Sequence, residues 1–161
     1  MDDRADLVRA LGRPVLLIAA EVCSATFVHG DRSKSNLIAT ALFGDGAAAV
    51  VLVPGDEGLR IVASHSHLID DSEDIMGWTL EPQGLRVRFA RSIPNLVRDT
   101  VPGFKLAAAA AAHVSPAEIE HYVLHPGGTK VLAAYEAALA VPRARIESAY
   151  TVLREHGNMS S

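Results

Sequence analysis

Two short, unbroken apolar runs constrain this chain most: residues 14–20 (PVLLIAA) and 47–53 (AAAVVLV). Each has the length of a strand and lacks the polar face of an amphipathic helix, so each reads as a strand buried on both sides. Residues 59–67 alternate and read as a third strand. Residues 78–80 and 85–89 flank the turn Glu81-Pro82-Gln83-Gly84 and predict a hairpin. Residues 122–124 form a short apolar segment that ends, as a strand, on His125.

Helical signals lie between these segments. Leu7, Val8 and Leu11 share a face over residues 2–11, and Gly12-Arg13-Pro14 ends that helix. Ser35-Asn36 is placed to cap a helix over residues 37–42. Ser92-Ile93-Pro94 opens a long helix running to about His113, with proline in its first turn. Ser115-Pro116-Ala117-Glu118 has the S-x-x-E pattern of a capping box. Further helices are expected over residues 127–140 and 143–156, the last stopped by Gly157. This order predicts a layered α/β fold. No internal repeat or linker interrupts it, so residues 1–161 read as one domain or one piece of one.

Composition narrows the function. Aromatic residues make up 5% of the chain against 49% hydrophobic overall, so an aliphatic core packed between sheets and helices is expected. The formal charge is -4 and the Lys and Arg residues are scattered. A nucleic-acid partner needs a basic stripe, and none is visible. No apolar stretch approaches the roughly 18 residues of a membrane span. Met1-Asp2-Asp3-Arg4 has no apolar signal core. The single cysteine, Cys23, excludes an intramolecular disulfide and fits a reducing compartment. A cytoplasmic location is expected, without nucleic acid or membrane as partner.

Three constellations could carry chemistry. In His125-Pro126-Gly127-Gly128, a histidine closes a strand and a small-residue turn starts a helix. Strand C-termini in α/β sheets are where ligands bind, and glycines admit a substrate to the backbone. In Gly157-Asn158-Met159-Ser160-Ser161, the same residues could simply end a helix. Phe43-Gly44-Asp45-Gly46-Ala47-Ala48-Ala49 lacks the Lys-Ser/Thr of a phosphate loop and the spacing of a dinucleotide site. His65, His67, Asp70, Asp71 and Asp74 supply metal-ligand types, yet nothing converges on the two histidines and the acidic loop lacks calcium-loop spacing. No metal site is assigned.

ALFGDGAAAVV, MGW, HPGG and GNMSS, in this order, resemble the C-terminal part of type III polyketide synthases, the chalcone and stilbene synthase family. The match runs from about Pro14 to the end, and the 33 residues between His125 and Asn158 also look like the family's. The β-ketoacyl-acyl-carrier-protein synthase III enzymes are the runner-up. They share a GDGA-type turn and an Asn motif but differ after the catalytic His. The resemblance implies a thiolase-like layered α/β fold, with this chain forming mainly its C-terminal half. It further implies a Cys-His-Asn triad that condenses acyl-CoA starters with malonyl-CoA, with CoA thioesters as substrates and no other cofactor. A homodimer is implied for the intact family protein.

By the motif match, His125 and Asn158 are the catalytic pair, hydrogen-bonding the thioester oxygen as the enolate forms. Phe43 matches the aromatic gatekeeper between CoA tunnel and cavity. Cys23 and Thr26 correspond to cavity-lining positions, Val87 to a second gatekeeping position, and Lys130 to the CoA tunnel mouth. Gly127 and Gly128 fall in the substrate-binding turn. The family's nucleophilic cysteine lies in a turn with no match here. Both ends therefore read as truncated, and the chain alone is expected to condense nothing. A non-catalytic subunit, or a Cys23–His125 hydrolase, remain as rival readings. Exposed apolar faces left by an incomplete fold are expected to drive association.

Overall fold

The computed structural model describes residue 8, residues 10–55 and residues 58–160. Most of the helix expected over residues 2–11 lies outside the described residues, although Val8, Ala10 and Leu11 are helical and Gly12 ends the segment at φ +60°.

The two apolar runs form strands β1 (Val15–Glu21) and β2 (Gly46–Leu52). They pair antiparallel, Val15 opposite Leu52 and Glu21 opposite Gly46. Opposed residues share a face, so Leu16, Ile18 and Val51 lie on one side, and all three are exposed. The expectation of strands buried on both sides is thus corrected. Among the described residues nothing covers that face of the two-stranded ribbon, and apolar composition alone does not supply a cover.

Between these strands the chain makes a 3-10 turn, Cys23–Thr26, and helix α1 (Lys34–Leu42). Ser33, rather than Ser35 or Asn36, is the N-cap, and its hydroxyl accepts from the Asn36 amide at 3.3 Å. The Asp31 carboxylate accepts from the Ser33 amide at 2.7 Å and hydroxyl at 3.0 Å, which starts the helix earlier than the sequence suggested. That Ser33 amide bond is the main reason the Asp31 carboxyl sits below the usual range. Asn36 is buried and donates to the Val28 and Asp31 carbonyls at 3.2 and 2.8 Å, tying the preceding loop to the helix.

Residues 59–67 form no strand. The alternation is real, but these residues pair with no neighbouring strand among those described, and Leu59 and Val62 face solvent. The hairpin is present as β3 (Met76–Glu81) and β4 (Gly84–Phe89), closed by Pro82-Gln83. It packs β4 against α1, and Arg86 reaches Asp31 at 3.5 Å and Glu81 at 3.2 Å.

The C-terminal part is helical: α2 (Ile93–Ala111), α3 (Thr129–Leu139) and α4 (Glu147–His156). Pro94 stands in the first turn of α2, where its missing N–H costs nothing. The capping box at Ser115 is formed, but it heads only the 3-10 turn Pro116–Glu118. Residues 143–146 are likewise a 3-10 turn leading into α4. Leu132, Ala134, Leu139, Ala109, Ile146 and Ala149 are all buried, so most of the aliphatic core lies in the C-terminal helices and the turn between them, with Ala39 of α1 and Val8 buried elsewhere. α2 packs on α3, and the small Ala109 allows their close approach. Residues 122–124 are not a strand. The Tyr122 amide donates to the Arg145 carbonyl at 3.2 Å, in a 3-10 turn, which gives no ladder partner.

Candidate active site

The antiparallel ladder sets the first part of the site. Because Glu21 pairs with Gly46, the turn leaving β1 and the turn entering β2 lie side by side. Ser24 therefore donates to Asp45 twice, from its amide at 2.7 Å and its hydroxyl at 2.6 Å. These two bonds, the hydroxyl's first, hold the Asp45 carboxyl below the usual carboxylate range. Cys23 and Thr26 occupy the same 3-10 turn, with the Thr26 hydroxyl donating to the Cys23 carbonyl at 2.7 Å. Burial, then the negative charges of Glu21 and Asp45, push the half-buried Cys23 thiol up. A nucleophilic thiol needs the opposite shift.

The second part is built where α1 ends. Phe43 closes the helix with its amide on the Ala39 carbonyl at 2.8 Å. It then forms an isolated parallel bridge to Asn158: the Asn158 amide donates to the Leu42 carbonyl at 2.8 Å, and the Gly44 amide donates to the Asn158 carbonyl at 3.0 Å. Phe43 is thus fixed beside Asn158 by backbone bonds on both flanks. The approach is close enough to require glycine. A Cβ on Gly44 would collide with the His156 carbonyl oxygen, and one on Gly157 would lie 2.6 Å from that of Leu42. Gly157 also has φ +76° and ψ -162°, a region that only glycine occupies readily.

Asn158 is buried, and its amide bonds in two directions. Its Oδ1 accepts from the Ser160 amide at 2.9 Å, and its Nδ2 donates to the Gly127 carbonyl at 3.4 Å. These two contacts set which way round the amide lies and bring GNMS to HPGG across 31 residues.

His125 occupies the third part. The Gly127 amide returns to its carbonyl at 2.9 Å, a tight turn that folds the ring over the glycine. A Cβ on Gly127 would lie 3.3 Å from His125 Cδ2 and 3.5 Å from Nε2. Gly128 is needed for a different reason: its φ of +147° and ψ of 162° are accessible to glycine. Enough protein surrounds the imidazole for burial to lower its pKa, although the residue as a whole retains exposed surface. The ring is therefore neutral at pH 7, with one N–H to donate.

Sequence reasoning assembled His125, Gly127, Gly128, Phe43 and Asn158, and the structure brings these together. Cys23 and Thr26 join through the Ser24–Asp45 contact. Val87 is half-buried on β4, opposite Trp78, at a separate location on the hairpin. Lys130 is exposed in the first turn of α3. The Asp45–Ser24 contact has no local signature: the Gly-Asp-Gly turn is visible in the sequence, but its partner lies 21 residues away. His65 meets Phe104 with ring centroids 5.2 Å apart and the ring planes tilted at 55°, and among the described residues no three His, Cys, Asp or Glu side chains converge as a metal set. No described helix is long and apolar enough to cross a membrane.

Comparison with known proteins identifies the family and the fold. The family model of chalcone and stilbene synthases, C-terminal domain, matches residues 60–161, and that of 3-oxoacyl-(acyl-carrier-protein) synthase III matches residues 5–69. The chain is 41% identical over 157 residues to a Bacillus subtilis (strain 168) protein provisionally named chalcone synthase, covering 91% of this chain and 43% of that one. It is 40% identical over 160 residues to 1,3,6,8-tetrahydroxynaphthalene synthase of Streptomyces peucetius subsp. caesius, covering 94% and 42%. The crystal structure of 1,3,6,8-tetrahydroxynaphthalene synthase from Streptomyces coelicolor A3(2), a bacterial type III polyketide synthase, superposes with TM-score 0.88 at 27% identity, over 98% of this chain and 46% of that one. A polyketide synthase of the brown alga Ectocarpus siliculosus shares the fold, with TM-score 0.86 at 23% identity, over 96% of this chain and 42% of that one. The chain spans less than half the length of each of these relatives. Its fold is the thiolase-like layered α/β fold of the type III enzymes, and the chain belongs to the chalcone and stilbene synthase family, whose C-terminal domain it carries.

Proposed function

We propose that residues 1–161 are a partial domain contributing the His–Asn half of a condensing site, acting on acyl-CoA and malonyl-CoA thioesters. The observation that carries this reading is the fixed Asn158 amide. With Oδ1 committed to the Ser160 amide, Nδ2 faces HPGG and uses one hydrogen on Gly127. Its second hydrogen and the neutral His125 N–H are two donors for one developing oxyanion.

In the proposed step, the bond from malonyl Cα to its carboxylate carbon breaks and carbon dioxide leaves. The electron pair moves onto the thioester oxygen, where His125 and Asn158 stabilise the enolate. The enolate carbon then attacks the carbonyl carbon of an acyl thioester held on a cysteine; the new C–C bond forms as the C–S bond breaks, and the cysteine leaves as thiolate. Cys23 is disfavoured for that role because burial and two carboxylates keep it protonated, so the nucleophile comes from another polypeptide segment. Phe43, Cys23, Thr26 and Val87 act as walls of the acyl cavity, Gly127 and Gly128 admit the thioester, and Lys130 faces the CoA phosphates. No cofactor beyond the CoA thioesters enters this reading. The intact assembly works as a cytoplasmic homodimer.

The test is reconstitution. The purified chain is incubated with malonyl-CoA and an acyl-CoA starter, with and without a cysteine-bearing N-terminal half of a related synthase. Product is expected only with both halves, and its loss is expected in His125→Ala and Asn158→Ala. Malonyl-dependent product from the chain alone would refute the need for a second half.

A second reading has its own support in the synthase III match over residues 5–69. It predicts malonyl-acyl-carrier protein as the extender. Comparing malonyl-CoA with the carrier-bound form in the same reconstitution separates the two.

A further inference from the structure

We propose that Asp45 is a positioning residue that locks the turn bearing Cys23 and Thr26 to the turn that seats Asn158, so that the two segments move as one unit. Asp45 takes both donors of a single residue: the Ser24 amide at 2.7 Å and the Ser24 hydroxyl at 2.6 Å. Charge-assisted bonds of this length are about twice as strong as neutral ones. On the far side, Asp45 is flanked by two glycines already in tight contact with the C-terminal loop. Gly44 donates to the Asn158 carbonyl at 3.0 Å and lies against the His156 carbonyl, and Gly46 lies against the Met159 sulfur.

The Cys23 turn is itself stiff. Its Thr26 hydroxyl bonds the Cys23 carbonyl at 2.7 Å, and the Phe27 amide bonds the Ser24 carbonyl at 3.3 Å. A displacement of Ser24 therefore carries Cys23 and Thr26 with it. The Asp45 side chain joins this rigid turn to the segment that carries the Gly44–Asn158 bridge. The consequence for acyl-chain selection rests on the cavity-wall roles proposed above for Cys23 and Thr26, whereas the coupling rests only on the bonds described.

Cys23 is the only thiol in the chain, so its alkylation by iodoacetamide reads this turn without ambiguity. The rate against pH yields two quantities. The midpoint reports the charge around the thiol, and the limiting rate at high pH reports access to it. Ser24→Ala removes the hydroxyl bond and keeps the Asp45 charge; Asp45→Asn removes the charge and one of the two acceptor oxygens, so only one of the two Ser24 donors keeps an acceptor; Ser24→Thr keeps a hydroxyl. Ser24→Ala and Asp45→Asn are expected to raise the limiting rate by several-fold, up to roughly tenfold, as the loss of one solvent-exposed hydrogen bond permits. Ser24→Thr is expected to stay near the native rate. Hydrogen exchange at the Asn158 and Gly44 amides should quicken in the first two variants, with far-UV circular dichroism unchanged.

A shift in midpoint with no change in limiting rate would mean that Asp45 acts on Cys23 through charge alone, and overturns the proposal. So would faster alkylation with unchanged exchange at Asn158 and Gly44, because the two turns would then be independent. Neither readout depends on product formation, so a failed reconstitution bears on the condensing function and not on this coupling.

Discussion

At the residue scale, the site is a set of polar groups whose orientation is decided by backbone partners. Asn158→Ala leaves the Ser160 amide and the Gly127 carbonyl without their side-chain partner in a part-buried setting. The loss is expected to be about 1–3 kcal/mol, read as a lower denaturant midpoint. His125 is expected to titrate below the usual histidine value of about 6.5 in an NMR pH series, because burial disfavours its charged form. Below about pH 6.5 the unfolded chain binds the proton more readily, so this stabilisation is full above that value. It is lost as pH falls through the lower, folded one. His125→Gln should remove that part of the acid dependence. His125 and Asn158 were legible because HPGG and GNMSS are short, contiguous and distinctive. Asp45 was not. A carboxylate that bonds Ser24 across 21 residues leaves no local pattern, and only the ladder register brings the two together.

At the element scale, α1 decides where Phe43 and the Asn158 bridge stand, so the loop before it matters to the site. Asn36 holds that loop by two carbonyl contacts while buried, whereas Ser33 makes a single long cap bond. Asn36→Leu leaves the Asp31 carbonyl without its side-chain partner and the Val28 carbonyl with only the Asp31 amide at 3.3 Å, and is expected to cost about 1–3 kcal/mol. Ser33→Ala should cost about 1 kcal/mol. The order of the two thermal midpoints checks the assignment, and a larger effect from Ser33 would contradict it. Helices were easier to foresee than strands for a physical reason. The bonds of α2, α3 and α4 close within one segment, and signals such as Pro94 and Gly157 are local. A strand exists only if another strand accepts it. Residues 59–67 and 122–124 carry the composition of strands, yet the backbone of the latter bonds a 3-10 turn instead. The hairpin β3–β4 succeeded because Pro82-Gln83 brings its partner within two residues.

At the scale of the whole molecule, the helical core and the β1–β2 ribbon are unequal. Leu132 and Ile146 are fully enclosed, whereas Leu16 is 58%, Ile18 62% and Val51 58% exposed on one continuous face. An isolated two-stranded ribbon is marginal in water, and its open edges invite further pairing. Exposed aliphatic area on a ladder with free edges is a strong drive to association. Chain self-association is therefore expected to rise with concentration in size-exclusion chromatography with light scattering. Leu16 and Val51 stand directly opposite each other, so Leu16→Lys with Val51→Glu places an opposite-charge pair on that face. This double variant removes apolar surface and adds charge at the ribbon without touching the helical core. It should shift the chain toward monomer while preserving the helical signal and the cooperative melting of the α2–α3–α4 part. If the native chain runs as a sharp monomer at all concentrations, the ribbon face is not the adhesive surface. If the double variant associates as before, the contact lies elsewhere, and Val123 and Leu80, at 94% and 81% exposure, become the next positions to charge.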